Sequence, residues 1–146
     1  MEWIEIVKAF GPVFLAVVGL YISYKFSKSN ECINNEKLER ELFKEFNLRF
    51  DILNGPLMEL KLTDNLEQLK SNSKLHKVVI DYFNLCAEEY FWFRKKRISK
   101  EIWMSWNAGM KFYFRTYPFL QELWKEEIDN EGYKSYYLKD GENLFN

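Results

Sequence analysis

An uncharged apolar run near the start of the chain limits what this sequence can fold into. Residues 9–24, AFGPVFLAVVGLYISY, contain no Asp, Glu, Lys or Arg. The wider stretch 3–24 is 22 residues long and contains only two charged residues, Glu5 and Lys8. Because a membrane-spanning helix needs about 20 predominantly apolar residues, we expect a transmembrane anchor over residues 1–28.

Two other interpretations of the apolar run remain open. A cleaved signal peptide is disfavoured because Glu2 and Glu5 stand where positive charge is usual, and no small-x-small cleavage site follows the run. A core helix of a soluble protein has a similar composition. Pro12 favours the membrane, because a proline inside a helix is better tolerated in a bilayer than in water.

The charges that flank the run predict its orientation. Lys25 and Lys28 follow it, whereas Lys8 on the other side is accompanied by two glutamates. Since Lys and Arg accumulate on the cytoplasmic side of a span, we expect a single-pass protein of a bacterial inner membrane with its C-terminal domain in the cytoplasm. The two cysteines, Cys32 and Cys86, have no CxxC spacing and agree with free thiols in a reducing compartment.

Small residues in the apolar run form a candidate packing face. Ala16, Gly19 and Ser23 recur at spacings of three and four, which places them on one side of a helix. Such a face lets membrane helices approach closely. It predicts packing of the anchor on a second copy of the chain or on a partner helix.

The remaining sequence predicts an all-α fold. Apolar residues recur every three or four positions, and no strand-like alternation of useful length occurs. We expect a bundle of four or five helices over residues 29–132, and a tail over residues 133–146 that either lies on the bundle or is loose. The first expected helix runs from residue 36 to a stop at Asn54-Gly55-Pro56, and the second covers 64–70 after a Thr63 cap. The third covers 74–97, and the fourth covers 100–115 after a Ser99 cap. The fifth runs from Pro118 to near Gly132.

A cluster of positive charge marks the end of the third predicted helix. The net charge of the chain is −1, which gives no general attraction for nucleic acid. Residues 94–100 nevertheless hold five basic residues, and four aromatic residues precede them. Four consecutive aromatics cover every face of a helix, so we expect at least one ring to be exposed or to meet another chain. The candidate contact surface, called here the basic turn, consists of Phe91, Trp92, Arg94, Lys95, Lys96, Arg97 and Lys100.

The basic turn has several physical interpretations. Basic residues stabilise the C-terminal end of a helix dipole, which needs no ligand. They also attract anionic lipid headgroups or an acidic protein partner. Nucleic acid is an unlikely partner, because phosphate binding requires a broader basic surface than one turn.

Catalytic chemistry has little support in the sequence. His76 is the single histidine, and its lysine neighbours favour a place on the surface. Glu88 and Glu89 are adjacent, so their side chains point about 100° apart on a helix and do not form a facing pair. Glu89 falls on the apolar stripe of its helix and requires a partner such as Arg94, Arg97 or a tyrosine hydroxyl. We therefore predict no enzyme, no catalytic residue, no cofactor and no metal site.

Several short segments resemble a known group of proteins. They are DYFNLCAEEY at 81–90, RIS at 97–99, Trp103, Trp106, GM at 109–110 and QELW at 121–124. This pattern resembles small bacterial single-pass membrane proteins of unknown function with a cytosolic helical domain. The resemblance implies the same topology for this chain and assigns no functional residue.

These observations together favour a non-enzymatic function. We expect a membrane-anchored interaction or adaptor protein that recruits or senses a cytosolic partner. Its partners are then the lipid bilayer and either another protein or a second copy of the chain. The alternatives are a small membrane-acting effector that oligomerises through its anchor and a nucleic-acid-binding module that uses residues 94–100.

Overall fold

The fold is all-helical, as the sequence predicts. The computed structural model describes the backbone of residues 2–145, and the side chains of Lys8 and of residues 10–145. Over residues 2–145 it contains no strand. Expectations that concern Glu2 and Glu5 lie outside the described side chains. The five α-helices of the described backbone are α1 (Glu2–Leu57), α2 (Leu66–Ser71), α3 (Ser73–Arg94), α4 (Lys100–Thr116) and α5 (Pro118–Ile128).

The chain divides into two compact units, Met1–Leu38 and Glu39–Asn146. The first unit is the N-terminal part of α1, which continues without a break through residues 27–30. An 18-residue window in α1 has a mean hydropathy of 1.4, and none of that window is buried. By length and composition, it is the one helix of the described chain that can cross a membrane.

The end of α1 differs from the prediction. The helix continues through Asn54-Gly55-Pro56 to Leu57, and a 3-10 turn over Met58–Leu62 follows directly. Pro56 lies in the last turn, where its missing N–H removes only one helical hydrogen bond. Leu57 and Leu60 are fully buried, and the burial of these side chains favours the longer helix.

The start of α2 is set by asparagine rather than by Thr63. The Asn65 Oδ1 accepts a 2.9 Å hydrogen bond from the Gln68 backbone N–H, and the Gln68 Oε1 accepts a 2.7 Å hydrogen bond from the Asp64 N–H. Asn65 is therefore the N-cap residue, and the two bonds satisfy backbone N–H groups where the helix begins at Leu66.

The start of α4 is tied to α1. Ser99 precedes α4 as predicted, but its side chain makes no capping hydrogen bond. Its backbone N–H instead donates to the Glu39 carboxylate at 2.6 Å. A carboxylate beside a helix N-terminus also interacts favourably with the helix dipole.

The tail folds back on the helices. A 3-10 turn covers Gly132–Tyr136, and four side chains of the tail are buried: Tyr136, Leu138, Leu144 and Phe145. The Phe145 ring stacks on Phe114 at a centroid distance of 4.3 Å and meets the Trp124 ring edge-on at 5.0 Å. Of the two possibilities for the tail, the structure shows the packed one.

Candidate functional site

A cleft of about 170 Å³ opens between α1, α3 and α4 in the second unit. Its residues follow helical spacing, because positions three, four and seven apart share one face. Two come from α1, four from α3 and four from α4: Asn47 and Phe50; Tyr82, Leu85, Cys86 and Glu89; Ser105, Trp106, Gly109 and Met110.

The cleft has a buried floor and an open mouth. Tyr82, Cys86 and Glu89 are buried, whereas Ser105 and Gly109 at the α4 side are exposed. A Cβ atom added to Gly109 meets no atom within 4 Å, so the missing side chain leaves space at the mouth. Glycine inside a helix lowers stability by about 0.5–1 kcal/mol relative to alanine. At Gly109 this position is open space beside the cleft.

Glu89 lies on the cleft floor. Among the described side chains it is the only Asp, Glu, Lys or Arg that is buried, with 5% of its surface exposed. No hydrogen bond to its carboxyl group is present in the described part of the chain. Burial raises the pKa of Glu89 from 4.5 to about 8, although the nearby Arg49 lowers it and Glu88 raises it further. The group is therefore mostly a neutral acid at neutral pH.

Arg49 is engaged by Glu88 rather than by Glu89. Its Nη1 and Nη2 atoms donate to the two Glu88 carboxylate oxygens at 2.6 and 2.9 Å. In this bidentate pair, both terminal nitrogens of the Arg49 guanidinium donate to the Glu88 carboxylate. The expectation that Arg94, Arg97 or a tyrosine hydroxyl pairs with Glu89 is wrong. The cation that lowers the pKa of Glu89 is Arg49 of α1. Arg49 donates its hydrogen bonds to Glu88, so the Glu89 carboxyl receives none from it.

The other titratable groups of the floor are neutral. Burial is the largest cause that raises the pKa of the Cys86 thiol, and Glu89 raises it further. Burial likewise raises the pKa of the neighbouring Tyr82 hydroxyl well above its ordinary value. Since the thiolate is the reactive form of cysteine, Cys86 contributes a small apolar surface to the floor rather than a nucleophile.

The basic turn is partly used by the tail. Arg94 Nη1 lies 2.7 Å from the Glu142 carboxylate, and Arg94 Nη2 donates to the Tyr137 carbonyl. The Tyr90 hydroxyl donates to the other Glu142 oxygen at 2.7 Å. Phe91 packs on Tyr137 at a centroid distance of 5.2 Å. Arg94 and Phe91 therefore fasten the tail instead of forming a free contact surface.

Three lysines of the basic turn remain exposed, namely Lys95, Lys96 and Lys100. Arg97 and Trp92 are half-buried. The structure thus places the basic turn at the junction of α3 and α4. Its exposed positive charge is smaller than the sequence indicates, because Arg94 is paired with Glu142. A smaller charge weakens the case for phosphate binding still further.

The predicted packing face of the anchor is open. Ala16, Gly19 and Ser23 are all exposed on α1. A Cβ atom added to Gly19 meets nothing within 4 Å. Packing of a second helix against this face stays a prediction.

His76 differs from its predicted place on the surface. The residue is half-buried, and its Nε2 atom is buried without a hydrogen-bond partner in the described structure. Across the described residues, no group of three His, Cys, Asp or Glu side chains has the arrangement of a metal site.

The sequence indicated part of the cleft and missed the rest. Glu89 stood out on an apolar stripe, but Asn47, Phe50 and Trp106 gave no signal that they share a cavity. Gly109 offers the clearest hint in retrospect, because a glycine in a helix interior is costly and lies one turn from Trp106.

Comparison with protein-family models, curated proteins and solved structures gives no match for this chain. The resemblance to small bacterial membrane proteins therefore stays a prediction.

Proposed function

We propose that this chain is a membrane-anchored, non-enzymatic interaction protein that recruits or senses a cytosolic partner. In this proposal residues 1–28 span the membrane, and the second unit is a cytoplasmic helical bundle. The observation that carries the proposal is that none of the apolar window in α1 is buried.

The exposure of this window argues against a soluble core helix. A core helix of similar composition buries its apolar side chains against the rest of the protein, whereas none of this window is buried. Burial of a large apolar side chain is worth about 1.5–3 kcal/mol, so a stretch with many such residues strongly favours an apolar environment. Ten large side chains between residues 10 and 26 are more than half exposed: Phe10, Val13, Phe14, Leu15, Val17, Leu20, Tyr21, Ile22, Tyr24 and Phe26.

The second unit supports a binding function over catalysis. Its buried carboxyl and thiol are held neutral, and its cleft combines one acid with aromatic and apolar walls. Concave, mostly apolar sites with few polar groups are typical of ligand-binding pockets. Lys25 and Lys28, which follow the apolar run, support a cytoplasmic location of this unit.

The full-length protein is expected to remain in the membrane pellet after extraction with alkaline carbonate. Replacement of Val17 and Leu20 by Arg is expected to release much of it, because each Arg near the middle of a span costs about 2.5–3.5 kcal/mol. The measurement is the fraction of protein in pellet and supernatant by immunoblot.

The matched control carries the same number of new charges farther along α1. Leu48 and Ile52 are also exposed apolar residues, but they lie beyond the proposed anchor. Leu48→Arg with Ile52→Arg is expected to leave the protein in the pellet. Extraction of the wild-type protein by carbonate, or equal release of both double variants, contradicts the proposed anchor.

A further inference from the structure

The cleft floor presents an acid without a partner to an open cavity. A buried carboxyl group is costly unless it is paired or hydrogen-bonded, and Glu89 has no hydrogen bond in the described structure. The guanidinium that acts on it, that of Arg49, already donates to Glu88 through two nitrogens. A cationic group in the cavity supplies the interaction that Glu89 lacks.

Three aromatic side chains contribute to the walls of the same space. Phe50, Tyr82 and Trp106 line the cleft together with Met110 and Glu89. Aromatic faces attract cations, and the attraction is strongest for groups that shed their water easily, such as alkylated ammonium ions. Above about pH 8 the ionised Glu89 repels an anion, whereas a strongly hydrated metal ion finds no second carboxylate among the residues that line the cleft.

The size of the cleft limits the ligand. A cavity of about 150 Å³ in another protein accepts benzene, which has six non-hydrogen atoms. The 170 Å³ of this cleft therefore accommodates a compact ligand of similar size. The open mouth at Ser105 and Gly109 gives access from solvent.

We propose that this cleft binds a small alkylated ammonium ion, with Glu89 as its counter-ion and the aromatic walls as its cage. The site lies within the second unit and does not depend on the membrane anchor. It gives the protein a small-molecule ligand in addition to any protein partner.

Binding of a cation in this site is linked to proton release. The titratable groups that face Glu89 are Arg49 from α1 and Glu88, Cys86 and Tyr82 from α3, while the cleft residues of α4 do not titrate. Burial holds the pKa of Cys86 and Tyr82 high, and Arg49 is paired with Glu88. Burial raises the pKa of Glu89 to about 8, so the acid must lose its proton when the cation binds. Affinity then rises with pH and levels off above about pH 8.

The test is calorimetric titration of the full-length protein in detergent with choline and with 3,3-dimethyl-1-butanol, its uncharged isostere. Choline does not titrate near neutral pH, so any dependence on pH belongs to the protein. We expect choline to bind at least about tenfold more tightly than the isostere at about pH 8. We also expect its affinity to rise by roughly fiftyfold between about pH 6 and about pH 8.

Two variants test separately the charge of Glu89 and the open space at the mouth of the cleft. Glu89→Gln keeps the size of the side chain and is expected to reduce choline affinity at about pH 8 by at least about tenfold, and to remove its dependence on pH. Gly109→Leu fills the mouth and is expected to abolish binding of both compounds. Phe112→Ala, an exposed position of α4 outside the cleft, is the matched control and is expected to bind normally. Tryptophan fluorescence on unfolding shows whether each variant is folded.

Four results overturn the proposal, and the first three concern choline affinity directly. They are equal affinity for choline and its isostere at about pH 8, choline affinity that does not change with pH, and no binding of either compound by a folded wild-type protein. Tighter binding of the uncharged isostere shows that the cleft prefers a neutral ligand, and this also overturns the proposal.

Discussion

Glu89→Gln is expected to make the protein more stable than the wild type at about pH 9, by up to about 4 kcal/mol. Near about pH 4.5 the two proteins are expected to unfold at nearly the same denaturant concentration. The reason is that the glutamine of the variant remains neutral at every pH, whereas burial raises the pKa of the Glu89 carboxyl from 4.5 to about 8 in the folded protein. Guanidinium unfolding of the full-length proteins in mild detergent, followed by tryptophan fluorescence, measures the difference.

The sign of this effect follows from the protons bound in each state. Between about pH 4.5 and about pH 8 the folded protein holds a proton on Glu89 that the unfolded chain has released. The contribution of Glu89 to the free energy of unfolding is therefore fully present at low pH, falls as the pH rises through this window and levels off above it. Glu88→Gln is the matched control, because it removes the ion pair with Arg49 and is expected to cost about 1 kcal/mol or less. Parallel pH profiles for the wild type and Glu89→Gln contradict a buried, unpaired acid.

Phe145→Ala is expected to lower the free energy of unfolding by about 3 kcal/mol, although the residue lies in the tail rather than in a helix. The Phe145 ring contacts three aromatic rings of the second unit, those of Phe83, Phe114 and Trp124. Its truncation leaves a cavity and exposes these rings to water. The same unfolding measurement applies, and the contact with Trp124 makes the fluorescence of the folded state sensitive to the change.

Phe112→Ala provides the comparison for the tail. It removes the same ring from α4 at a position that is 65% exposed, and it is expected to change stability by about 0.5 kcal/mol. Equal effects of the two substitutions contradict a packed tail, because a ring in a loose segment contributes no more than an exposed one.

The helical periodicity predicted much of the second unit. Pro118 was expected in the first turn of a helix and lies there, because its fixed φ angle suits that position. The apolar residues of that helix recur at helical spacing and are all buried: Phe119, Leu120, Leu123 and Trp124. The end of α1 was misplaced because the burial of Leu57 and Leu60, a property of the tertiary structure, outweighs the local signal of Gly55 and Pro56.

The cleft was less accessible to sequence analysis. Periodicity shows which residues of α3 share a face, but it does not give the space between that face and α1. The Arg49–Glu88 pair joins residues 39 positions apart, and no local pattern predicts which of the two adjacent acids takes the cation. The contact between Arg94 and Glu142 is not predictable for a similar reason, because Glu142 lies in a tail without periodicity.

The most direct measurement of the proposed topology is the labelling of Cys32 by a membrane-impermeant maleimide. Cys32 is exposed just beyond the proposed anchor, whereas Cys86 is buried. We expect no labelling in intact cells and strong labelling after lysis under native conditions, with Cys32→Ser giving the background from Cys86. Labelling of Cys32 in intact cells to the same extent as in lysed cells contradicts a cytoplasmic second unit.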